Sequence, residues 1–175
     1  MTSDTAIKNM VRQRAKFKCE FCGVSETDSG GELTIDHFCP KSKGGGDSLD
    51  NLIYCCIRCN LYKLDYWTSD SDKPMLLNPR IEKFEEHFIE LDDGNLYPVT
   101  SKGAFTLKRL RLNRPPLVDN RLRKLRNIEN VRLLKQYENL VHILEQLMTQ
   151  QTELIEDQQI LLKEQYQLLS LLLNK

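Results

Sequence analysis

The sequence has no excess of either charge, few aromatic residues and no long apolar run. Its 175 residues include 25 Lys and Arg against 25 Asp and Glu, and aromatic residues make up 7%. The longest nearly apolar run, residues 168–173, is far shorter than the roughly 20 residues that a membrane-spanning helix needs. Residues 1–17 also lack the apolar segment of a signal peptide. We therefore expect a cytoplasmic protein that does not enter a membrane.

Glycine and proline are missing from the last third of the chain. All eight glycines lie at or before Gly103, and all six prolines lie at or before Pro116. Because these residues interrupt helices, their absence from residues 117–175 favours one long helix. Turn signals and short apolar stretches before residue 117 predict smaller elements, with helices at 5–17, 60–66 and 104–112 and strands at 33–38 and 52–54. The expected fold class is α+β.

Leucine recurs at every seventh position of this tail, at Leu133, Leu140, Leu147, Leu154, Leu161 and Leu168. The adjacent column is apolar too and comprises Leu134, Val141, Met148, Ile155, Leu162 and Leu169. Two such columns predict a coiled-coil-like helix over 119–173, with Asp119 as its N-cap, that associates with other helices. Three glutamines in the preceding column weaken a parallel two-stranded coil and favour an antiparallel pair, a larger homo-oligomer or a regulatory protein partner. An internal hairpin with a break at 150–157 is the remaining alternative.

Charge is segregated along the chain. Residues 102–135 hold eleven basic side chains and two acidic ones, whereas residues 136–175 hold six acidic side chains and two basic ones. This asymmetry suggests that the first stretch contacts a polyanion such as DNA and that the tail has a different partner. A solvated helix face is the alternative interpretation of the same charges. We expect a domain at 1–118, with a basic extension, and a helical association segment at 119–175.

Six cysteines in a chain expected to be intracellular indicate metal binding or catalysis rather than disulfides. Four of them form two CxxC pairs, which are Cys19 with Cys22 and Cys56 with Cys59. Four thiolates at this spacing suit tetrahedral zinc, so we expect structural Zn²⁺ to clamp the base of the segment between the pairs. Cys39 and Cys55 have no such partner and are expected to be ordinary buried thiols.

The segment between the cysteine pairs carries acid, base and amide side chains. Asp36 and His37 end a short apolar strand, and a glycine triplet at 44–46 follows. Asn51 precedes the second strand, and Asn60 comes directly after the second cysteine pair. Together with the cysteines, this combination resembles the HNH endonucleases, the zinc-stabilised branch of the ββα-metal (His-Me finger) nucleases.

The resemblance covers residues 14–65 and continues weakly through 78–80, 86–88 and 110–113, but it does not reach beyond Asp119. It implies a small zinc-stabilised ββα-metal core with flanking helices. By their positions in the motif, His37 is the general base, and Asn51 orients it. We expect Asn51 to do so by fixing either the loop backbone or the His37 ring. Asp36 and Asn60 occupy the positions that bind the catalytic cation.

The chemistry of these residues agrees with such roles. Members of this family more usually have a third His at the position of Asn60. The carboxamide oxygen of Asn60 favours Mg²⁺ or Mn²⁺ over Zn²⁺ at that site. An imidazole can accept a proton near neutral pH, and a divalent cation can stabilise a scissile phosphate. Lys63, one turn beyond Asn60, and Arg58 are candidate contacts to substrate phosphates.

The expected activity is metal-dependent hydrolysis of DNA phosphodiester bonds. The tail would serve a homo-oligomer or a regulatory partner, as in a nuclease effector of a bacterial defence system. The alternative is a catalytically idle zinc-knuckle module that binds nucleic acid or protein. The complete set of Asp36, His37, Asn51 and Asn60 argues against that alternative.

Overall fold

The computed structural model describes residues 2–173 and confirms the α+β class, with helices, two small antiparallel sheets and a long C-terminal helix. The elements in chain order are α1 (Thr2–Arg14), α2 (Glu26–Ser29), β1 (Thr34–His37), β2 (Leu52–Cys55), α3 (Ile57–Lys63), β3 (Phe88–Glu90), β4 (Leu96–Pro98), α4 (Ser101–Leu110) and α5 (Pro115–Leu173). By their contacts the residues form two units, Met1–Lys124 and Leu125–Lys175. Within the described residues, no helix is long and apolar enough to span a bilayer.

The first sheet is the hairpin of β1 and β2, which leads directly into α3. The strands pair antiparallel, with Thr34 opposite Cys55 and His37 opposite Leu52. All four side chains of β2 are buried, so this strand lies at the centre of the core. At the start of α3 the Cys56 sulfur accepts a hydrogen bond from the Cys59 backbone N–H, which caps the helix. Because of this cap, the helix covers 57–63 rather than the expected 60–66.

A charged cluster joins α1 to the hairpin. The Arg12 guanidinium donates hydrogen bonds to the two Glu26 carboxylate oxygens at 2.6 and 2.7 Å, and the Tyr54 hydroxyl donates to the same carboxylate. The Arg12 and Tyr54 donors lower the pKa of Glu26 to about 2. Burial and the neighbouring Glu26 carboxylate raise the pKa of Tyr54 to about 12. The Tyr54 hydroxyl also accepts from the Leu33 backbone N–H at 2.9 Å, which fixes the residue before β1.

The second sheet and α4 pack beside this core. β3 pairs antiparallel with β4, and α4 contacts both β4 and α3. The Thr100 hydroxyl caps α4 by accepting from the Gly103 backbone N–H at 3.0 Å, so the helix covers 101–110 rather than the expected 104–112. A Cβ on Gly103 would lie 2.5 Å from the His87 carbonyl oxygen, so glycine is required where α4 meets this segment.

The long helix α5 begins earlier than the sequence analysis expected. It starts at Pro115 rather than after Asp119, because proline is well tolerated in the first turn, where no backbone N–H is needed. The helix continues without a break to Leu173, so the internal hairpin considered above is wrong. All side chains from 125 to 170 are exposed, including those of both apolar columns.

Candidate active site

Four cysteine thiols meet between the turn after α1 and the start of α3. They belong to Cys19, Cys22, Cys56 and Cys59, and their sulfur atoms all lie within 4.8 Å of one another. The Cys22 and Cys56 sulfurs are 3.8 Å apart. A tetrahedral site with Zn–S bonds of about 2.3 Å requires sulfur atoms about 3.8 Å apart, so the cluster fits a structural zinc ion.

The backbone around the first cysteine pair forms a tight turn. The Gly23 N–H donates to the Cys19 carbonyl at 2.8 Å, and Gly23 has a φ of 71°, which favours glycine. In the second pair, hydrogen bonds from the neighbouring thiols, led by Cys19, lower the pKa of Cys56. Burial raises the pKa of Cys19 well above its ordinary value. The cluster therefore favours thiolate at Cys56, and thiolate is the form that binds metal.

Cys39 and Cys55 lie outside the cluster. Cys55 is fully buried in β2, and burial raises its pKa. Cys39 is half-buried, and its sulfur contacts the backbone carbonyl oxygens of Pro40 and Lys43. The structure therefore gathers the two CxxC pairs and leaves the two unpaired cysteines apart.

Arg114 places a positive charge beside the cysteine cluster. Its guanidinium lies 3.7 Å from the Cys56 sulfur and 3.8 Å from the Cys59 sulfur, and it stands over the Tyr62 ring. Four thiolates around a divalent zinc carry a net negative charge, which a neighbouring guanidinium offsets. The sequence analysis included Arg114 only in the basic stretch 102–135, which it expected to contact a polyanion, and no sequence signal pointed to its place beside the cysteines.

His37 is fixed by its ring and by its backbone at the end of β1. The ring Nε2 lies 2.7 Å from Asp47 Oδ1. The His37 backbone N–H donates to Asp36 Oδ1 at 2.8 Å, and its carbonyl accepts from Lys63 Nζ at 2.7 Å. The side chain is 23% exposed, and nothing among the described residues bonds to Nδ1. The ring is therefore oriented by the protein while one nitrogen remains open to a ligand.

Asp47, the partner of the His37 ring, lies in the loop after the glycine triplet. Its carboxylate is 2.8 Å from the Lys41 ammonium, and Lys41, followed by His37, lowers its pKa. An anionic Asp47 can therefore accept a hydrogen bond from His37 Nε2 at neutral pH. The sequence analysis missed this residue because a single Asp in a polar loop carries no pattern.

Asp36 and Lys63 form a largely buried ion pair next to His37. Asp36 Oδ2 is buried and accepts no well-aligned hydrogen bond, but it lies 2.9 Å from the Lys63 ammonium. The Lys63 side chain is fully buried, and its hydrogen bonds go to the carbonyl oxygens of His37 and Leu64. This placement differs from the expected phosphate contact, since the ammonium group faces the protein interior and not the solvent.

Asn51 clamps the turn that follows His37. Its carboxamide donates to the carbonyl oxygens of Cys39 at 3.0 Å and Gly46 at 2.8 Å, and it accepts from the Cys39 N–H at 2.8 Å. The backbone at Gly45 approaches so closely that a Cβ there would lie 1.8 Å from the Cys39 carbonyl oxygen. Asn51 therefore contacts the loop backbone, and the described contacts include none between Asn51 and the His37 ring.

Asn60 and Arg58 lie on α3 in different surroundings. Asn60 is three residues before Lys63 and so shares the face of α3 that meets Asp36. Its carboxamide makes no hydrogen bond with the described residues. Arg58 is exposed and lines an open cleft of about 1100 Å³ together with Arg114 and Arg123. The lining of that cleft includes none of the candidate catalytic residues.

Comparison with known families agrees with the geometry of this region. Residues 19–65 match the family described as HNH endonuclease. The matched segment contains both cysteine pairs, Asp36, His37, Asn51 and Asn60. Searches among curated proteins and among solved structures gave no match. Residues 19–65 are therefore similar to an HNH endonuclease domain, and this similarity supports a nuclease-type function in general.

Proposed function

We propose that this protein is an endonuclease that hydrolyses DNA phosphodiester bonds, with His37 as general base and Mg²⁺ or Mn²⁺ as catalytic cofactor. The observation that carries the proposal is the way His37 is held. Asp47 fixes its ring, Lys63 fixes its carbonyl, and Asn51 fixes the turn that follows. Such fixed placement of a partly exposed ring is what a general base requires.

The hydrogen bond to Asp47 determines which ring nitrogen does the chemistry. With Nε2–H donating to the Asp47 carboxylate, Nδ1 carries the lone pair that removes a proton from the attacking water. The carboxylate then stabilises the imidazolium that results. Lys41 lowers the pKa of Asp47, so the Asp47 carboxylate is anionic and can accept this hydrogen bond at neutral pH.

Asp36 and Asn60 would hold the catalytic cation. The Asp36 carboxylate lies beside His37, with Oδ1 accepting from the His37 N–H and Oδ2 next to the Lys63 ammonium, and Asn60 shares the face of α3 that meets Asp36. Carboxylate and carboxamide oxygens are the ligands that Mg²⁺ and Mn²⁺ prefer. When bound, such a cation stabilises negative charge on the scissile phosphate and on the leaving oxygen. Lys63 is a positioning residue, because its ammonium holds the Asp36 carboxylate in place at 2.9 Å.

Structural zinc at the cysteine cluster would stabilise the elements that carry the candidate catalytic residues. It would join the turn after α1 to the first turn of α3, the helix that carries Asn60 and Lys63. Exposed arginines, Arg58 and Arg123, line the adjacent cleft and would contact DNA phosphates. The exposed helix of segment 119–173 would bind a regulatory protein, through which any defence role would be controlled.

A plasmid-nicking assay tests the proposal. We expect His37→Ala to reduce cleavage at least 100-fold, in line with loss of a general base, while zinc content and the thermal midpoint stay unchanged. His142→Ala, which changes an exposed histidine of α5, is the matched control and should cleave like the wild type. Cleavage should require added Mg²⁺ or Mn²⁺ and stop with EDTA.

The opposite result identifies the alternative function. If the wild type binds DNA but does not cut it with either cation, the chain is a catalytically idle zinc-knuckle module. The ion pair of Asp36 with Lys63 and the occupied Nε2 of His37 are the features that would account for an idle site.

A further inference from the structure

The exposed helix from 125 to 170 carries two apolar columns, the leucine column and the column of Val141, which lie on the two sides of a mixed column. The mixed column is apolar at Tyr137 and Leu144 and carries the three glutamines Gln151, Gln158 and Gln165. Leucines of the leucine column are 41% to 62% exposed. A face repeating every seven residues over this length is suited to a supercoiled helix–helix contact.

The columns that flank this apolar face contain acids but no bases. The first flank comprises Glu129, Gln136, Ile143, Gln150, Asp157 and Glu164. The second flank comprises Val131, Glu138, Glu145, Thr152, Gln159 and Tyr166. The cations between residues 127 and 170, which are Arg132, Lys135 and Lys163, all occur in the two columns on the far side of the helix.

This arrangement disfavours pairing with a second copy of the same helix. In a parallel pair the first flank of one helix meets the second flank of the other, and in an antiparallel pair each flank meets itself. Both orientations bring acidic and neutral side chains together without any cation to oppose them. Because flanking charges decide which coiled-coil partners associate, the flanking acids disfavour a homodimer of this helix.

We propose that the apolar face of 133–169 binds an amphipathic helix of a different protein whose own apolar face is flanked by Lys and Arg. The leucine column and the column of Val141 supply the apolar contact, and the five flanking acids pair with the partner's cations. The far-side cations remain exposed in such a complex. The partner is therefore a basic protein helix, and neither a second copy nor an acidic helix satisfies the charges of this surface.

Binding of two synthetic helical peptides to the full-length protein tests this proposal. The peptides share one leucine face over five heptads and carry either Lys or Glu at all flanking positions. By fluorescence anisotropy at physiological salt, we expect the Lys-flanked peptide to bind at least tenfold more tightly than the Glu-flanked peptide. Light scattering should show that the protein without peptide does not form a stable dimer at micromolar concentration.

Two charge-reversal variants test which face of the helix determines the preference for the Lys-flanked peptide. Glu138→Lys with Glu145→Lys should reduce the preference for the Lys-flanked peptide at least threefold, because it places two cations on a surface that retains the three acids of the other flank. Glu153→Lys with Glu156→Lys makes the same change of charge on the far side and should preserve the wild-type order. Circular dichroism checks that both variants keep the helix. Equal affinity for the two peptides, binding of neither, or a tight homodimer of the wild type would each overturn the proposal.

Discussion

The unit at 1–124 and the helix at 125–173 are shaped by opposite kinds of contact. In the first unit, side chains far apart in sequence meet, as when Lys63 bonds to the carbonyl of His37 and Arg80 to Glu20, 60 residues away. In the helix, the side-chain hydrogen bonds are local, as from Thr149 and Thr152 to carbonyls four residues earlier. The first unit therefore has a packed interior, whereas the second exposes its apolar side chains.

This difference determines what kind of function each region can carry. Catalysis needs groups held in fixed relation, and only long-range contacts such as those around His37 provide that. A helix with an uncovered apolar face instead provides a surface for association. Substitutions that remove single long-range contacts of the first unit should therefore affect its stability or its metal binding to different degrees. They should leave the helix unchanged, so the helix serves as the reference.

Removing one cysteine of the cluster should have the largest effect. Cys56→Ser deletes a ligand and the N-cap of α3, and structural zinc contributes on the order of 10 kcal/mol to folding in small zinc domains. We expect loss of zinc, measured by release to a chromophoric chelator, and unfolding of the hairpin region by near-UV circular dichroism. Cys55→Ser is the control and should retain zinc, since Cys55 lies outside the cluster. Zinc loss from Cys55→Ser alone would contradict the ligand assignment.

Removing Lys63 should have the next largest effect. Lys63→Met leaves Asp36 with a buried, unpaired oxygen, and breaking such a buried pair costs about 3–5 kcal/mol. Urea denaturation should show this loss, and the double variant with Asp36→Asn should recover part of it. Lys43→Met changes an exposed lysine of the neighbouring loop and should cost little. If Lys63→Met had the same free energy of unfolding as the wild type, the ion pair would make no contribution to stability.

Replacing Arg114 should weaken zinc retention without unfolding the protein. Arg114→Gln removes the charge that lies 3.7 Å from Cys56 and 3.8 Å from Cys59. Loss of a group next to metal ligands typically costs at least about tenfold in metal affinity. We expect zinc transfer from Arg114→Gln to a chelator to be about tenfold faster than from the wild type. Arg114→Lys retains a positive charge, so its transfer rate should lie between those two. An unchanged transfer rate would show that the guanidinium acts only by packing on Tyr62.

The sequence predicted residues at this site better than it predicted their contacts. The two CxxC pairs are visible as a spacing, and their four thiols meet as expected. Asp36, His37 and Asn51 were identified by the resemblance to the HNH endonucleases. The partner of the His37 ring was not visible, because Asp47 lies in a loop whose fold depends on the glycine triplet and on Asn51.

Lys63 shows why the remaining contacts could not be read from the sequence. A lysine after Asn60 suggests a solvent-facing cation by composition alone, and burial of its ammonium depends on the position of β1 relative to α3. The same holds for element ends, since Cys56 and Thr100 cap their helices earlier than apolar periodicity indicated. Periodicity in α5 was informative because a helix fixes the positions of its own side chains.

The smallest effect is expected at Glu26, in the cluster that joins α1 to the hairpin. Its pKa is lowered to about 2 by Arg12 and Tyr54, so it is depressed relative to the unfolded chain, and its stabilising contribution is present above about pH 4.5 and lost as the pH falls towards 2. Glu26→Gln should therefore unfold more easily than the wild type at pH 7, and the gap in unfolding free energy should narrow between pH 4.5 and 3. Acid also displaces zinc from both proteins, so the informative quantity is the difference between them. Glu85→Gln, an exposed carboxylate, is the control, and a gap that stays constant down to pH 3 would show that the Arg12 contact contributes no pH-dependent stability.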